Sequence, residues 1–201
     1  SGSFGDDIAS VRALVPQVVA ALQAVQLNSR FGVSAFIDKP VSPFGSPGDY
    51  VYQQKLALTS NPTLLSNTYN GLLIQSGADG NEAQIEGLMQ LALRAAEVGF
   101  SATAARFVVL FTDADFHVAG DGALAGITTP NNGDAILDGN GLGEDYPLIA
   151  QVRAAIEAAD IIPIFAVTGV EAAYNGLVSG LGRGAVVTLT ANSSNVVAAI
   201  T

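Results

Sequence analysis

SGSFGDDI opens the chain with Ser1 and Ser3 on alternate positions and Asp6 and Asp7 close behind. Hydroxyl and carboxylate oxygens at this density are the donors that hard cations take, Mg2+, Ca2+ or Mn2+. Four more acidic positions stand beside recognisable segments. Asp38 closes RFGVSAFID, Asp113 closes RFVVLFTD, and GADGNEAQ carries Asp79 and Glu82 just before a helical pattern. The chain has no cysteine and a single histidine, His117, which excludes thiol catalysis, disulfides and cysteine-ligated zinc or iron–sulfur centres. Each group also has a plain structural role. Asp6 and Asp7 suit a helix cap and first turn, Asp38 and Asp113 suit strand-end turns, and Glu82 suits the first turn of a helix. SGS has a lesser alternative as an expression scar, and His117 reads as a packed or hydrogen-bonded residue rather than a ligand.

The elements that must position these groups follow from periodicity. IASVRALVPQVVAALQAV carries Ile8, Val11, Val15, Val18, Val19 and Leu22 at helical spacing. RFGVSAFID, RFVVLFTD, IIPIFAVT and AVVTLT are short and β-rich, and the first three are nearly continuous apolar runs, the pattern of strands covered on both faces. Phe31, Phe36, Phe107, Phe111 and Phe165 are therefore expected in the core. NEAQIEGLMQLALRAAEVG, DYPLIAQVRAAIEAAD, VEAAYNGLVSG and SSNVVAAI read as helices between and after them. Strand and helix in alternation predict a doubly wound, mostly parallel α/β sheet. In such a sheet the ligand crevice lies at the carboxyl ends of the strands, where Asp38 and Asp113 fall. DKPVSPFGSPGD and GITTPNNGDAILDGNGLGED read as long surface loops within one domain spanning 1–201.

Composition narrows the partners. A net charge of −10, with Lys39 and Lys55 the only lysines, leaves little surface for nucleic acid or anionic membrane. An acidic partner would need a bridging cation. No segment reads as a signal peptide or membrane span, so no direct membrane insertion is expected.

In motif order, the chain resembles the von Willebrand factor A domain of integrin beta subunits, the beta I-like domain. The family's Asp-x-Ser-x-Ser motif running into paired aspartates is matched by Ser1, Ser3, Asp6 and Asp7, and RFGVSAFIDKPVSP, FTDADFHVAGDGALAGITTPNNGD, DYPLIAQV, IFAVT and ANSSNV are similarly integrin-like. The resemblance implies three cation sites. Ser1, Ser3, Glu82 and Asp113 match a metal-ion-dependent adhesion site, where Mg2+ or Mn2+ keeps a position open for an acidic side chain of a protein partner. Asp6 and Asp7, with the carbonyls of Ser3 and Ala191, match an adjacent regulatory Ca2+ site. Asp38, Asp79, the carbonyl of Asn81 and again Glu82 match a third, synergistic Ca2+ site. It further implies an extracellular or cell-surface location and an alpha-subunit-like partner.

Departures from the family pattern carry expectations of their own. The first motif aspartate would stand two positions before Ser1, preceded by an apolar strand that is central in the family's sheet. The chain is accordingly expected to be a fragment, with a hydrophobic slot where that strand would lie. Gly77 stands where the family has an asparagine ligand, and FGSPGD replaces the cysteine-bounded specificity loop, which suggests a prokaryotic relative with a different ligand. Two other readings stand beside adhesion: a Ca2+-stabilised structural module, and a Mg2+-dependent phosphohydrolase built on the Asp113–Asp115 strand end. The enzyme is disfavoured, because no Gly-rich phosphate loop is present and neither lysine is placed to neutralise a phosphoryl group.

Overall fold

The computed structural model describes residues 5–75 and 77–200, the Asp6 side chain apart. Ser1 and Ser3 lie outside these residues. Helix α1 (Gly5–Val25) comes first, then strands β1 (Phe31–Ala35) and β2 (Gln53–Thr59), helix α2 (Pro62–Asn70) and the two-residue strand β3 (Asn81–Glu82). Helices α3 (Gln84–Leu93) and α4 (Ala95–Val98) lead to β4 (Arg106–Thr112) and a second two-residue strand, β5 (Asp115–Phe116). After two 3-10 turns come α5 (Ile149–Ala158), β6 (Ile161–Val167), α6 (Glu171–Leu181), β7 (Ala185–Thr188) and α7 (Val196–Ile200).

The parallel core is β4–β6–β7, with β4 and β6 in unbroken register from Arg106 opposite Ile161 to Thr112 opposite Val167. Such a sheet buries both faces, which is why β6 is almost wholly apolar. On one face α3, α5 and α6 supply Ile85, Met89, Ile156, Tyr174 and Leu177 around Phe165. On the other, Leu14 of α1 and Val196 of α7 pack on Ala166 and Phe111. Helices on both faces of a parallel sheet give the doubly wound architecture expected of a von Willebrand factor A domain.

Besides the two-residue strands β3 and β5, a longer strand and a helix escaped the sequence pattern. β2 pairs antiparallel with β1 and is half exposed along its length, so its apolar signal is diluted. Helix α2 is short, although its start is locally specified: Asn61 Oδ1 accepts from the amides of Thr63 and Leu64, and Pro62 occupies the first turn. Helix α1 is long and apolar enough, by length and composition alone, to cross a membrane over Asp7–Val25, whereas no segment was expected to read as a span. Here Val11, Val15 and Val19 of that helix are buried with Val33 and Leu65.

Phe107 also departs from expectation: it is 55% exposed, while Phe165 is fully buried. The cause is the break between the two main sheets. Among the described residues β1 is hydrogen-bonded only to β2 and β4 only to β6, so each has an edge to which no described strand pairs. Between them lies an apolar groove of about 350 Å3, lined by Val11, Val15, Val33, Leu88, Leu91 and Phe111. Phe31, Phe36 and Phe111 face this groove and are only half buried.

Candidate metal centre

The acidic groups are gathered by short backbone ties beyond the ends of β1 and β4. The amide of Ala83 donates to the Ile37 carbonyl at 3.0 Å, which sets Asp38 beside Glu82. β3 and β5 pair in parallel, Asn81 opposite Asp115 and Glu82 opposite Phe116, and the His117 amide donates to the Glu82 carbonyl at 3.0 Å. The Ala78 amide donates to the Phe44 carbonyl at 2.6 Å and anchors the turn that carries Asp79. Four separate stretches of sequence thus meet at one point.

At that point Asp38, Asp79 and His117 offer ligand atoms within 4.8 Å of one another. His117 Nε2 lies 3.4 Å from Asp38 Oδ2 and 3.2 Å from Asp79 Oδ2. Asp38 is fully buried. Its Oδ1 accepts from the Lys39 amide at 2.7 Å and from the Tyr146 hydroxyl, whereas Oδ2 has no hydrogen-bond partner among the described residues. Burial pushes the Asp38 carboxyl up to about 8, against the pull of those two donors and with added repulsion from Glu82 and Asp79. Burial likewise raises the Glu82 carboxyl, while the Gly77 amide pulls it down. The Tyr146 phenol is raised by burial and by the Asp38 charge.

Gly77 leaves room for this cluster. A Cβ there would stand 2.7 Å from Glu82 Oε2 and 3.0 Å from the Phe44 carbonyl, so any side chain requires the carboxylate to move. Behind the cluster, Lys39 is fully buried, 3.1 Å from Glu86 Oε2, donating to the Gly141 carbonyl at 2.6 Å and lying 4.5 Å from the centre of the Tyr146 ring. The long loop 126–145 is therefore fastened to the site rather than free on the surface.

The remaining expected ligands fall in two further places. Asp113 directly follows β4 at the end of the apolar groove, and its Oδ1 is buried with no hydrogen-bond partner among the described residues. Gln84 Nε2 donates to Thr112 Oγ1 and to the Ala114 carbonyl, both at 3.1 Å, and holds this strand end. Asp7 is 2% exposed and accepts from Ser193 Oγ at 2.5 Å, which ties the start of α1 to the loop holding Ala191. Ala191 itself is exposed. His117 is the group that sequence reasoning set aside. Its proximity to three acidic loops is a property of the fold, and its only sequence signal was its place four residues after Asp113.

The family profile of the integrin beta chain VWA domain matches residues 1–201. Human integrin beta-7 is 33% identical over 220 aligned residues, chicken integrin beta-1 is 32% identical over 218, and Drosophila melanogaster integrin beta-PS is 30% identical over 216. Each alignment covers 98% of this chain, which spans about a quarter of each relative's length (27%, 27% and 26%).

Proposed function

The chain belongs to the integrin beta VWA-domain family, and on that premise we propose that it is a divalent-cation-dependent adhesion module that takes an acidic side chain of a protein partner. The observation that carries this reading is the pair of buried carboxylate oxygens, Asp38 Oδ2 and Asp113 Oδ1, that have no hydrogen-bond partner among the described residues, beyond the ends of β1 and β4. A buried carboxylate is stable only when paired or neutralised. An all-oxygen set of this kind fits Mg2+, Mn2+ or Ca2+.

In this reading Ser1, Ser3, Glu82 and Asp113 hold Mg2+ or Mn2+ at the adhesion site. Asp6 and Asp7 with the Ser3 and Ala191 carbonyls hold a regulatory Ca2+, and Asp38, Asp79, Glu82 and the Asn81 carbonyl hold a second Ca2+. Bound cation supplies the positive charge and the open coordination position that a partner's Asp or Glu needs. The protein's own contribution is to fix the donors: Gln84 braces the strand end before Asp113, and Tyr146 and the Lys39 amide orient Asp38. The module then acts at a cell surface or outside the cell, with an alpha-subunit-like partner alongside, and binds rather than catalyses.

The test is capture of the chain by immobilised peptides carrying a central Asp or Glu, against matched Asn or Gln peptides. Binding in Mg2+ or Mn2+ that vanishes in EDTA and in Asp113→Ala supports the reading. Binding that persists in EDTA, or that ignores the amide controls, sinks it. A second reading, a Ca2+-stiffened structural module, draws on the full burial of Asp38 and predicts cation-dependent stability without any peptide binding.

A further inference from the structure

His117 is held as metal-ligating histidines are held. Its Nδ1 lies 3.0 Å from Asp121 Oδ2, and the Val118 amide donates to that same oxygen at 3.0 Å. A carboxylate oxygen already accepting one N–H is an acceptor, so the proton sits on Nδ1 and the lone pair on Nε2. A carboxylate behind the far nitrogen is the usual device for fixing the tautomer and basicity of a histidine ligand. The ring is further clamped by Tyr146, stacked at 4.5 Å and 22°, and by Phe44, edge-on at 4.8 Å. With the ring 3% exposed, Nε2 points at a fixed place.

That place is the gap between Asp38 Oδ2 and Asp79 Oδ2, at 3.4 and 3.2 Å. Two carboxyl groups and a nitrogen lone pair at these separations call for a proton or a cation among them. A proton on Nε2 makes one hydrogen bond, which leads to Asp79, and leaves the buried Asp38 Oδ2 with none among the described residues. A metal ion satisfies all three, and separations near 3.3 Å are roughly the edges of a coordination shell with ~2.0–2.4 Å bonds. Imidazole nitrogen is a donor that zinc and its neighbours favour and that calcium does not.

We propose that His117 Nε2 is a metal ligand, joining Asp38 and Asp79 in a site selective for a divalent transition ion such as Zn2+ over Ca2+. This deepens the cation-dependent reading above and rests on it for the identity of the two aspartates. It departs from that reading in donor set and in metal.

His117 is the sole histidine, so a long-range proton–nitrogen spectrum of the 201-residue chain contains one imidazole. On adding Zn2+, the Nε2 resonance should shift while Nδ1 keeps its proton. Calorimetric titration should show Zn2+ affinity falling at least tenfold in His117→Gln with Ca2+ affinity little changed, and falling roughly 10–100-fold in Asp121→Asn, which leaves the imidazole in place. The proposal is overturned if Zn2+ leaves both imidazole nitrogens unmoved, or if His117→Gln weakens Zn2+ and Ca2+ alike or neither. Acidic-peptide capture in Mg2+ is run beside it. Capture that survives an unmoved imidazole defeats this proposal alone, whereas a shifted Nε2 without capture supports it and defeats the adhesion reading.

Discussion

The Lys39 ammonium lies 3.1 Å from the Glu86 carboxylate, and solvent reaches 0% of one side chain and 3% of the other. This ion pair sits directly behind the candidate metal centre, because Lys39 follows Asp38 and lies 4.5 Å from the centre of the Tyr146 ring, whose hydroxyl donates to Asp38. Removing one partner strands a buried charge, so Lys39→Met is expected to cost ~3–5 kcal/mol. The double substitution Lys39→Met with Glu86→Gln should cost clearly less than Lys39→Met alone. Urea denaturation of the three proteins measures both.

Glu86 also predicts a pH dependence. Burial raises its carboxyl from 4.5 to about 7, with Lys39 pulling the other way. The folded chain therefore keeps a proton that the unfolded chain releases between those values, and the sign follows: stability falls as pH rises from about 4.5 to about 7. The full cost of holding the charge buried is present above that window, at most about 3 kcal/mol. In Glu86→Gln this component is absent, so the stability difference between the two proteins should change across the window and level off outside it. Parallel thermal melts at half-unit pH intervals decide it.

Asp7 and Ser193 join opposite ends of the chain through a buried hydrogen bond. Hydrogen bonds to charged groups are worth about 1.5–3 kcal/mol, and Ser193→Ala should lose that much. Because the bond ties the start of α1 to the loop before α7, amide exchange should speed up in Val196–Ile200 before it does in β6.

Cation binding should separate two effects of Asp38. In Ca2+ at about 100 times Kd the chain gains ~2.7 kcal/mol, roughly 5–10 °C in Tm for a domain of this size, and Asp38→Asn loses most of it. In EDTA the sign reverses. There the burial that pushes the Asp38 carboxyl up to about 8 is a cost that the amide does not carry, so Asp38→Asn should melt no lower than the parent chain.

Gly77→Ala places a Cβ 2.7 Å from Glu82 Oε2 and 3.0 Å from a backbone carbonyl. Overpacking of this kind costs ~1–3 kcal/mol. Since the displaced group is a candidate ligand, the same variant should weaken Ca2+ binding measured by calorimetry, while Gly80→Ala, with open space around it, should leave it intact.

Local patterning alone carried much of this protein. Continuous apolar runs identified β4 and β6 and helical spacing identified α1, α5 and α6, because a strand buried on both faces and a helix buried on one have distinct periods. Residue chemistry pointed to hard cations, since carboxylates and hydroxyls without cysteine admit little else. Tertiary structure decided the rest. β2 and α2 were illegible because half-exposed or short elements depend on their neighbours rather than on their own pattern. Phe107 is exposed because β4 has, on an open groove, an edge to which no described strand pairs, a fact of sheet order that no local window contains. His117 joined Asp38 and Asp79 across gaps of 79 and 38 positions because parallel pairing of β3 with β5 and the Ile37–Ala83 tie bring their loops together. A ligand set is a distance relation between side chains, and only the folded backbone sets those distances.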